Sequence, residues 1–293
     1  MKRNIAIIGA GRIGGALFGI LRKKHDVFLW DKRRGVVKNQ GSLEDIISPA
    51  EFIFLCTPPS VSSEILSVIS PFISNKTIVI SFSKGIEEKT GMFIHSILSK
   101  FVKSGNFCFF GGPMLSEEIE KGGVGIGILG APKKSVFLEV SKLFSGTPIA
   151  TVFEKDIKSV AISGTLKNIY SVALGMADGL RWNTNQKGWF VSRILEEMVL
   201  CGKILGARDD VLRGPAGLGD LITCGINVHS RNRSAGEKVI KSGLFDPKSE
   251  AVHSLTPLRK ILGKKIRKFP ILNTLILVAF GKKDPKKSFS NLF

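Results

Sequence analysis

Residues 4–14 read Asn4-Ile5-Ala6-Ile7-Ile8-Gly9-Ala10-Gly11-Arg12-Ile13-Gly14. The apolar run at the start is typical of a buried parallel strand, and the residues from Gly15 to Leu21 continue as a helical pattern. A second apolar run, Val27-Phe28-Leu29-Trp30, ends at Asp31. A strand, a glycine turn, a helix, a strand and an acidic residue in this order predict a dinucleotide-binding unit.

Each glycine of such a unit, and the acidic residue after the second strand, has a physical role. Gly9 permits the tight turn, Gly11 lets the backbone approach a pyrophosphate, and Gly14 packs the helix against the strand. The positive end of the helix dipole then faces the phosphates. Asp31 can accept a hydrogen bond from a ribose 2′-hydroxyl, whereas Lys32-Arg33-Arg34 could hold a 2′-phosphate. We therefore expect NAD or NADP as the cofactor, with a slight preference for NAD.

Strand and helix patterns alternate as far as Glu154, and the pattern is helical from Lys155 onward. This alternation predicts an α/β fold, with an N-terminal Rossmann-type doubly wound parallel sheet and an all-α C-terminal domain. The expected boundaries are 1–154 for the dinucleotide-binding domain and 155–293 for the helical substrate domain. Within the second domain a long helix is expected from about Trp189 to Leu205.

Composition limits the partners and the compartment. The net charge is +19, from 43 Lys and Arg against 24 Asp and Glu, but no nucleic-acid-binding signature accompanies it. No specific nucleic acid is therefore expected. The four cysteines are widely spaced, which predicts no metal site and favours a reducing, cytoplasmic compartment. The apolar run near residues 269–280 is too short and too broken by Pro270 to span a membrane.

Lys167 lies among apolar residues on a segment that reads as a mostly buried helix. Burial lowers the pKa of an ammonium group towards neutrality, so Lys167 is a candidate acid/base group. The alternative is a surface lysine on an imperfectly amphipathic helix. Lys84 follows a strand at the carboxyl edge of the sheet, where ligands bind. Asp220 lies at a helix start, and Ser230-Arg231-Asn232-Arg233 is a good phosphate-holding set or a solvated helix start.

Taken in order, these motifs resemble the NAD(P)-dependent glycerol-3-phosphate dehydrogenases. The resemblance covers most of the chain, and an ordered set of motifs is far more specific than any single one. It is carried by Gly9–Gly14, Ser83-Lys84-Gly85-Ile86-Glu87, Gly112-Pro113 with Glu118, Leu166-Lys167-Asn168 with Gly175, Asp178 and Gly179, Gly217-Leu218-Gly219-Asp220-Leu221, and Ser230-Arg231-Asn232.

The resemblance implies a C-terminal domain like that of 6-phosphogluconate dehydrogenase. It also implies reduction of dihydroxyacetone phosphate to sn-glycerol 3-phosphate, which feeds glycerophospholipid synthesis. Lys167 would be the general acid/base, assisted by Lys84 and Asp220. The implied substrate-binding residues are Lys84, Gly112, Lys167, Asp220, Ser230, Arg231 and Asn232. The implied cofactor-binding residues are Gly9, Gly11, Arg12, Ile13, Gly14, Asp31, Lys32, Lys84, Ser116, Arg231 and Glu250. A homodimer is one assembly to expect.

Several positions depart from the family pattern. The segment near the adenosine is shorter than usual, and Ile13 and Met114 replace an aromatic and a small residue. Cys224 stands where the family has a threonine, and Thr223 is displaced by one place, about 100° around a helix. Two alternatives therefore stay open: a reductase for another small phosphorylated or carboxylated ketone, and a dinucleotide-binding protein without turnover.

Overall fold

The computed structural model describes residues 1–102, 104–245 and 249–292, apart from the side chain of Glu250. Seven strands form one sheet: β1 Asn4–Ile8, β2 Asp26–Trp30, β3 Phe52–Leu55, β4 Ile78–Ser81, β5 Phe107–Gly111, β6 Gly125–Gly130 and β7 Ile149–Glu154. Their order is β2-β1-β3-β4-β5-β6-β7. Neighbouring strands are parallel except for the antiparallel pair β5 and β6. The predicted doubly wound sheet is confirmed, with this one antiparallel step.

Fourteen α-helices accompany the sheet in the part of the chain that is described. They are α1 Arg12–Leu21, α2 Leu43–Ile47, α3 Ser62–Ile69, α4 Ile94–Phe101, α5 Ser116–Glu120, α6 Lys134–Leu143, α7 Ile157–Gly179, α8 Thr184–Leu205, α9 Asp209–Arg213, α10 Asp220–Ile226, α11 Arg231–Ser242, α12 Glu250–Leu262, α13 Pro270–Ala279 and α14 Pro285–Ser290. No helix among the described residues is long and apolar enough to cross a membrane.

The chain divides into two compact units. Unit 1 contains Met1–Lys84 and Phe93–Ala161, and unit 2 contains Gly85–Met92 and Ile162–Phe293. The domain limits 1–154 and 155–293 stay a prediction. In unit 1 the strands supply fully buried side chains such as Ile7, Phe54 and Phe110 to one apolar core, as expected for strands that are covered on both faces.

The long helix of unit 2 begins earlier than expected. Helix α8 starts at Thr184, five residues before the predicted Trp189. The Asn183 side chain accepts a hydrogen bond from the backbone N–H of Gln186, and the Gln186 side chain accepts one from the backbone N–H of Asn183. This capping box satisfies two donors at the helix start, so Asn183 is the helix cap.

Candidate active site

Helix α7 holds Lys167 in an apolar environment. Leu166, Ile169 and Tyr170 beside it are fully or almost fully buried, and Lys167 itself is only 4% exposed. Its Nζ atom donates to Oδ1 of Asp220 at 2.9 Å and lies 2.9 Å from Sγ of Cys224. The alternative of a surface lysine is therefore wrong, because the ammonium is buried and paired.

Both partners of Lys167 come from helix α10. Asp220 is the first residue of this helix, after the π-helical segment Pro215–Gly219, and Cys224 lies one helical turn later. The carboxylate is favoured at a helix N-terminus by the dipole. This π-helical segment packs closely against the backbone of α9, since a Cβ on Gly217 would lie 2.0 Å from the carbonyl oxygen of Leu212. Only glycine permits that approach, and it fixes Asp220 against Lys167.

The protonation of Lys167 differs from the expectation. Burial opposes its charge, but the attraction of Asp220 and Cys224 outweighs burial and raises the pKa of Lys167 above the usual 10.5. The expectation that burial lowers this pKa towards neutrality is wrong, because a buried ammonium with a carboxylate partner is stabilised in its charged form. Lys167 is thus an ammonium group that can donate a proton.

Cys224 occupies the place next to Lys167, and Thr223 does not. The Thr223 hydroxyl donates to the carbonyl oxygen of Gly219 at 2.9 Å, which is a local bond to the residue that precedes its own helix. The Cys224 thiol contacts Lys167 and lies 3.8 Å from Oδ1 of Asp220. Sulfur is a weak hydrogen-bond acceptor, so Lys167 is held on this side less firmly than a hydroxyl would hold it.

We therefore expect the matched pair Cys224→Thr and Cys224→Val to differ in turnover. The two side chains have nearly the same shape, but only threonine offers an oxygen to the Lys167 ammonium. Turnover of the threonine variant should exceed that of the valine variant about 5- to 10-fold, the value of one hydrogen bond. Steady-state rates at saturating substrate measure this ratio, and equal rates would show that the acceptor is irrelevant.

The first turn of helix α11 carries the predicted phosphate-holding residues. Ser230 is buried and caps the helix, because its Oγ accepts from the backbone N–H of Arg233 at 3.4 Å. Arg231 is exposed and Asn232 is half-buried. The two interpretations of this segment, a helix start and a phosphate site, are therefore compatible. Ser230 caps the helix, while Arg231 and Asn232 carry the hydrogen-bond donors that a phosphate needs.

Two carboxylates of unit 2, the half-buried Asp178 and the buried Glu197, were assigned no role from the sequence. Asp178, at the end of α7, pairs with Nε of Arg233 at 2.6 Å and with Lys187. Glu197 on α8 accepts the backbone N–H of Ile271 at 2.7 Å and that of Leu272 at 3.1 Å. Asp178 is one of the residues that carry the family resemblance, which was a usable signal for it, but no local pattern marks Glu197.

The glycine turn of unit 1 has the geometry that a dinucleotide requires. Gly9 has φ of +104°, and a Cβ there would lie 2.7 Å from the carbonyl oxygen of Cys56. A Cβ on Gly14 would lie 1.9 Å from the carbonyl oxygen of Gly9, so helix and strand touch through backbone atoms. The space beside Gly11 is open to 4 Å. The cradle therefore fits a pyrophosphate at the start of α1.

Asp31 directly follows β2 and takes part in several hydrogen bonds. Its carboxylate accepts the backbone N–H groups of Ala10 and Arg33, each at 2.9 Å. The Arg33 guanidinium also forks onto it, with Nε 2.9 Å from Oδ1 and Nη2 3.1 Å from Oδ2. The Arg33 side chain is the main reason why the pKa of Asp31 is lowered to about 2. Asp31 and Arg33, the acidic and the basic residue of the predicted ribose site, thus form an ion pair.

The remaining predicted residues of unit 1 lie on several loops and helix starts. Lys84 Nζ is 3.4 Å from the carbonyl oxygen of Gly112, whose φ is +90°. Arg12 Nη1 pairs with Glu117 at 2.8 Å, and Ser116 begins the same helix α5 as Glu117.

Three further positions complete the predicted set. Lys32 is exposed and pairs with Glu64 at 3.1 Å. Ile13 packs against the core of unit 1, as does Met114, so these two departures from the family are apolar core contacts. Glu250 begins α12, and its side chain lies outside the described part of the structure.

Comparison with known proteins matches most of the chain to one family. The family model of the NAD-dependent glycerol-3-phosphate dehydrogenase N-terminus matches residues 35–136, and that of the C-terminus matches residues 156–290. Glycerol-3-phosphate dehydrogenase [NAD(P)+] of Campylobacter jejuni subsp. doylei is 30% identical over 292 residues, covering 95% of both chains. The Clostridium acetobutylicum protein of the same name is 27% identical over 321 residues, with 98% of this chain and 96% of that one covered.

Solved structures match the fold over the same extent. The crystal structure of glycerol-3-phosphate dehydrogenase from Coxiella burnetii aligns with a TM-score of 0.89 at 22% identity, covering 99% of this chain and 98% of that one. The matched relatives cover 95–98% of this chain, and the order of its motifs resembles the same family. This chain belongs to the NAD-dependent glycerol-3-phosphate dehydrogenase family.

Proposed function

We propose that this protein reduces dihydroxyacetone phosphate to sn-glycerol 3-phosphate, reversibly and with NADH or NADPH. The product feeds glycerophospholipid synthesis. Besides family membership, the observation that carries the proposal is the buried pair of Lys167 and Asp220 at 2.9 Å. A charged lysine held by a carboxylate is the proton donor that reduction of a ketone requires.

Lys167 acts on the oxygen of the substrate carbonyl. As that oxygen gains negative charge, the ammonium stabilises it and then transfers a proton from Nζ. Asp220 keeps Lys167 charged before the reaction and orients its donors, and Cys224 contacts the same nitrogen. In the direction of oxidation, the neutral amine of Lys167 accepts the proton from the alcohol.

The other residues bind and orient. When bound, the nicotinamide supplies the hydride, and the cradle of Gly9, Gly11 and Gly14 holds the pyrophosphate of the same molecule. Arg231, with Asn232 and Ser230, holds the substrate phosphate, because a guanidinium can fork onto phosphate oxygens. We assign Lys84 a role as a second cation for substrate and cofactor.

The test is reduction of dihydroxyacetone phosphate with NADH and NADPH in parallel, followed by the loss of nicotinamide absorbance. Dihydroxyacetone and a small carboxylated ketone are the comparison substrates. Clear preference for the phosphorylated ketone is expected, because dihydroxyacetone offers Arg231 no charge and a carboxylate offers the guanidinium two oxygens where a phosphate offers three. Preference for a non-phosphorylated ketone would replace the proposal with the alternative substrate, and dinucleotide binding without turnover would favour a non-catalytic role.

The Arg33 and Asp31 pair makes a separate prediction about cofactor choice. Arg33→Ala should lower kcat/KM for NADPH about 10-fold or more, since a 2′-phosphate loses a hydrogen-bonded cation. The same change leaves Asp31 for the ribose hydroxyls of NADH, so kcat/KM for NADH should hold or rise. The exposed Lys121 of unit 1 provides the control Lys121→Ala, and a ratio of the two cofactors unaltered by Arg33→Ala would contradict the role of Arg33.

We also propose a cytoplasmic location and a homodimer. The described cysteines are all free thiols, which suits a reducing compartment. Leu200 and Ile204 are exposed one turn apart on α8, as an apolar contact between two copies requires. Sedimentation equilibrium of the purified chain, with and without Leu200→Asp, tests the dimer.

A further inference from the structure

Helices α7 and α11 touch through their backbones. A Cβ on Gly175 would lie 1.8 Å from the carbonyl oxygen of Arg233, and one on Gly236 would lie 2.0 Å from that of Val172. A Cβ on Gly179 would meet Ile240 at 2.8 Å. Three glycines in two helices therefore permit a contact that no larger residue allows.

An ion pair closes one end of this contact. Nε of Arg233 lies 2.6 Å from Oδ2 of Asp178, and the two side chains are 14% and 12% exposed. Lys187, at the start of α8, pairs with the other oxygen of Asp178. Arg233 reaches Glu237 only at 3.9 Å, so Asp178 is its principal partner. A pair this far from solvent is screened little by salt.

The position of this pair in the fold relates it to the reaction. Arg233 follows Arg231 and Asn232 directly, in the first turn of α11, and its backbone N–H is the one that Ser230 caps. Asp178 lies on the helix that carries Lys167, and Gly175 is eight residues, or about 12 Å along the axis, beyond Lys167. The contact thus joins the helix of the proton donor to the turn that carries the phosphate donors.

We infer that Arg233 and Asp178 are positioning residues for the substrate phosphate, which hold the first turn of α11 at a fixed place on α7. This inference rests on the proposed function. Helix ends fray when nothing holds them, and donors on a frayed turn lose the alignment that binding requires. The Arg233 guanidinium pairs with Asp178. Arg233 therefore affects phosphate binding indirectly, by positioning Arg231 and Asn232.

The test separates substrate binding from chemistry. Arg233→Met should raise KM for dihydroxyacetone phosphate about 10-fold, as expected for losing a charge-assisted contact, with kcat changed less than about 3-fold. The calorimetric Kd for sn-glycerol 3-phosphate should rise by the same factor. The Kd for NADH should stay unchanged, because the glycine cradle lies in unit 1.

A double-mutant cycle distinguishes positioning from a general loss of stability. If the pair acts as a unit, KM of Asp178→Asn with Arg233→Met should equal that of the single Arg233→Met variant. Arg233→Lys should recover part of the loss, since the charge stays but the fork is lost. The control Arg193→Met removes an exposed ion pair with Glu196 on α8 and should change nothing.

Each failure has a separate signature. If the unaltered chain turns over dihydroxyacetone phosphate and binds sn-glycerol 3-phosphate, but Arg233→Met has the same KM and Kd, the inference is overturned and the proposed function stands. A fall in kcat alone, or effects of the two substitutions that simply add, would also overturn it. If the unaltered chain neither binds nor reduces these compounds, the proposed function itself fails.

Discussion

Replacing Lys167 with methionine is expected to lower kcat for the reduction of dihydroxyacetone phosphate about 100- to 10,000-fold, the usual contribution of a positioned general acid. Methionine keeps the length of the buried side chain but has no proton to give. The loss should fall on kcat more than on KM, because the interaction strengthens as charge develops on the substrate oxygen. Steady-state kinetics with either cofactor measures it.

Methionine leaves Asp220 buried without its cation, so a second variant guards against a loss of folding. Lys167→Arg preserves a positive charge for Asp220, but a guanidinium does not release its proton in this pH range. It should therefore fold and bind NADH, and still lose about 100-fold or more in kcat. Lys203→Ala removes an exposed lysine that pairs with Asp209 and is the matched control. Near-normal turnover by Lys167→Arg would contradict proton donation by Lys167.

The raised pKa of Lys167 gives the pH dependence a definite sign. Asp220 keeps the ammonium protonated, so reduction should not lose its acid between about pH 6 and 9. Oxidation of sn-glycerol 3-phosphate needs the neutral amine, and its rate should therefore rise with pH across the same range. Parallel pH profiles of the two directions test this. An oxidation rate that stays flat with pH would contradict Lys167 as the base.

Local steric rules made much of unit 1 predictable. The glycine at position 14 is required because a Cβ there would meet the carbonyl oxygen of Gly9 at 1.9 Å, and that requirement is visible in the spacing of the glycines. The run of apolar residues before Gly9 predicts a strand that is buried on both faces. The antiparallel placement of β6 was not predictable, since its residues suit either direction of pairing.

Local patterns did not predict which side chains distant in the sequence form pairs, although the family resemblance implied that Asp220 assists Lys167. Lys167 reads as a buried lysine with a lowered pKa until Asp220, 53 residues later, is placed beside it. In the sequence, Arg33 is one of three consecutive basic residues. Only its side-chain conformation in the structure shows that its guanidinium donates two hydrogen bonds to Asp31. Residue types indicate which groups can interact, but the pairs that form decide the charge of each group.

Glu197 is a buried carboxylate that the sequence did not mark, because it directly follows the exposed Glu196 on α8. It is only 7% exposed, and burial raises its pKa. Its Oε1 accepts the backbone N–H of Ile271, and its Oε2 accepts that of Leu272 and the Tyr170 hydroxyl at 3.2 Å. One side chain thus satisfies donors of α7 and of the first turn of α13.

Glu197→Ala is therefore expected to reduce the free energy of unfolding by at least about 3 kcal/mol, because three buried donors lose their acceptor at about 1–3 kcal/mol each. The loss is a large share of the stability of an ordinary domain. Urea denaturation followed by circular dichroism measures it, and the neighbouring Glu196→Ala, at an exposed residue that pairs with Arg193, should leave the midpoint unchanged. Equal midpoints for the two variants would mean that the first turn of α13 obtains its acceptors elsewhere. Tyr170 lies one turn from Lys167, so a partly unfolded variant should lose turnover before it loses NADH binding to unit 1.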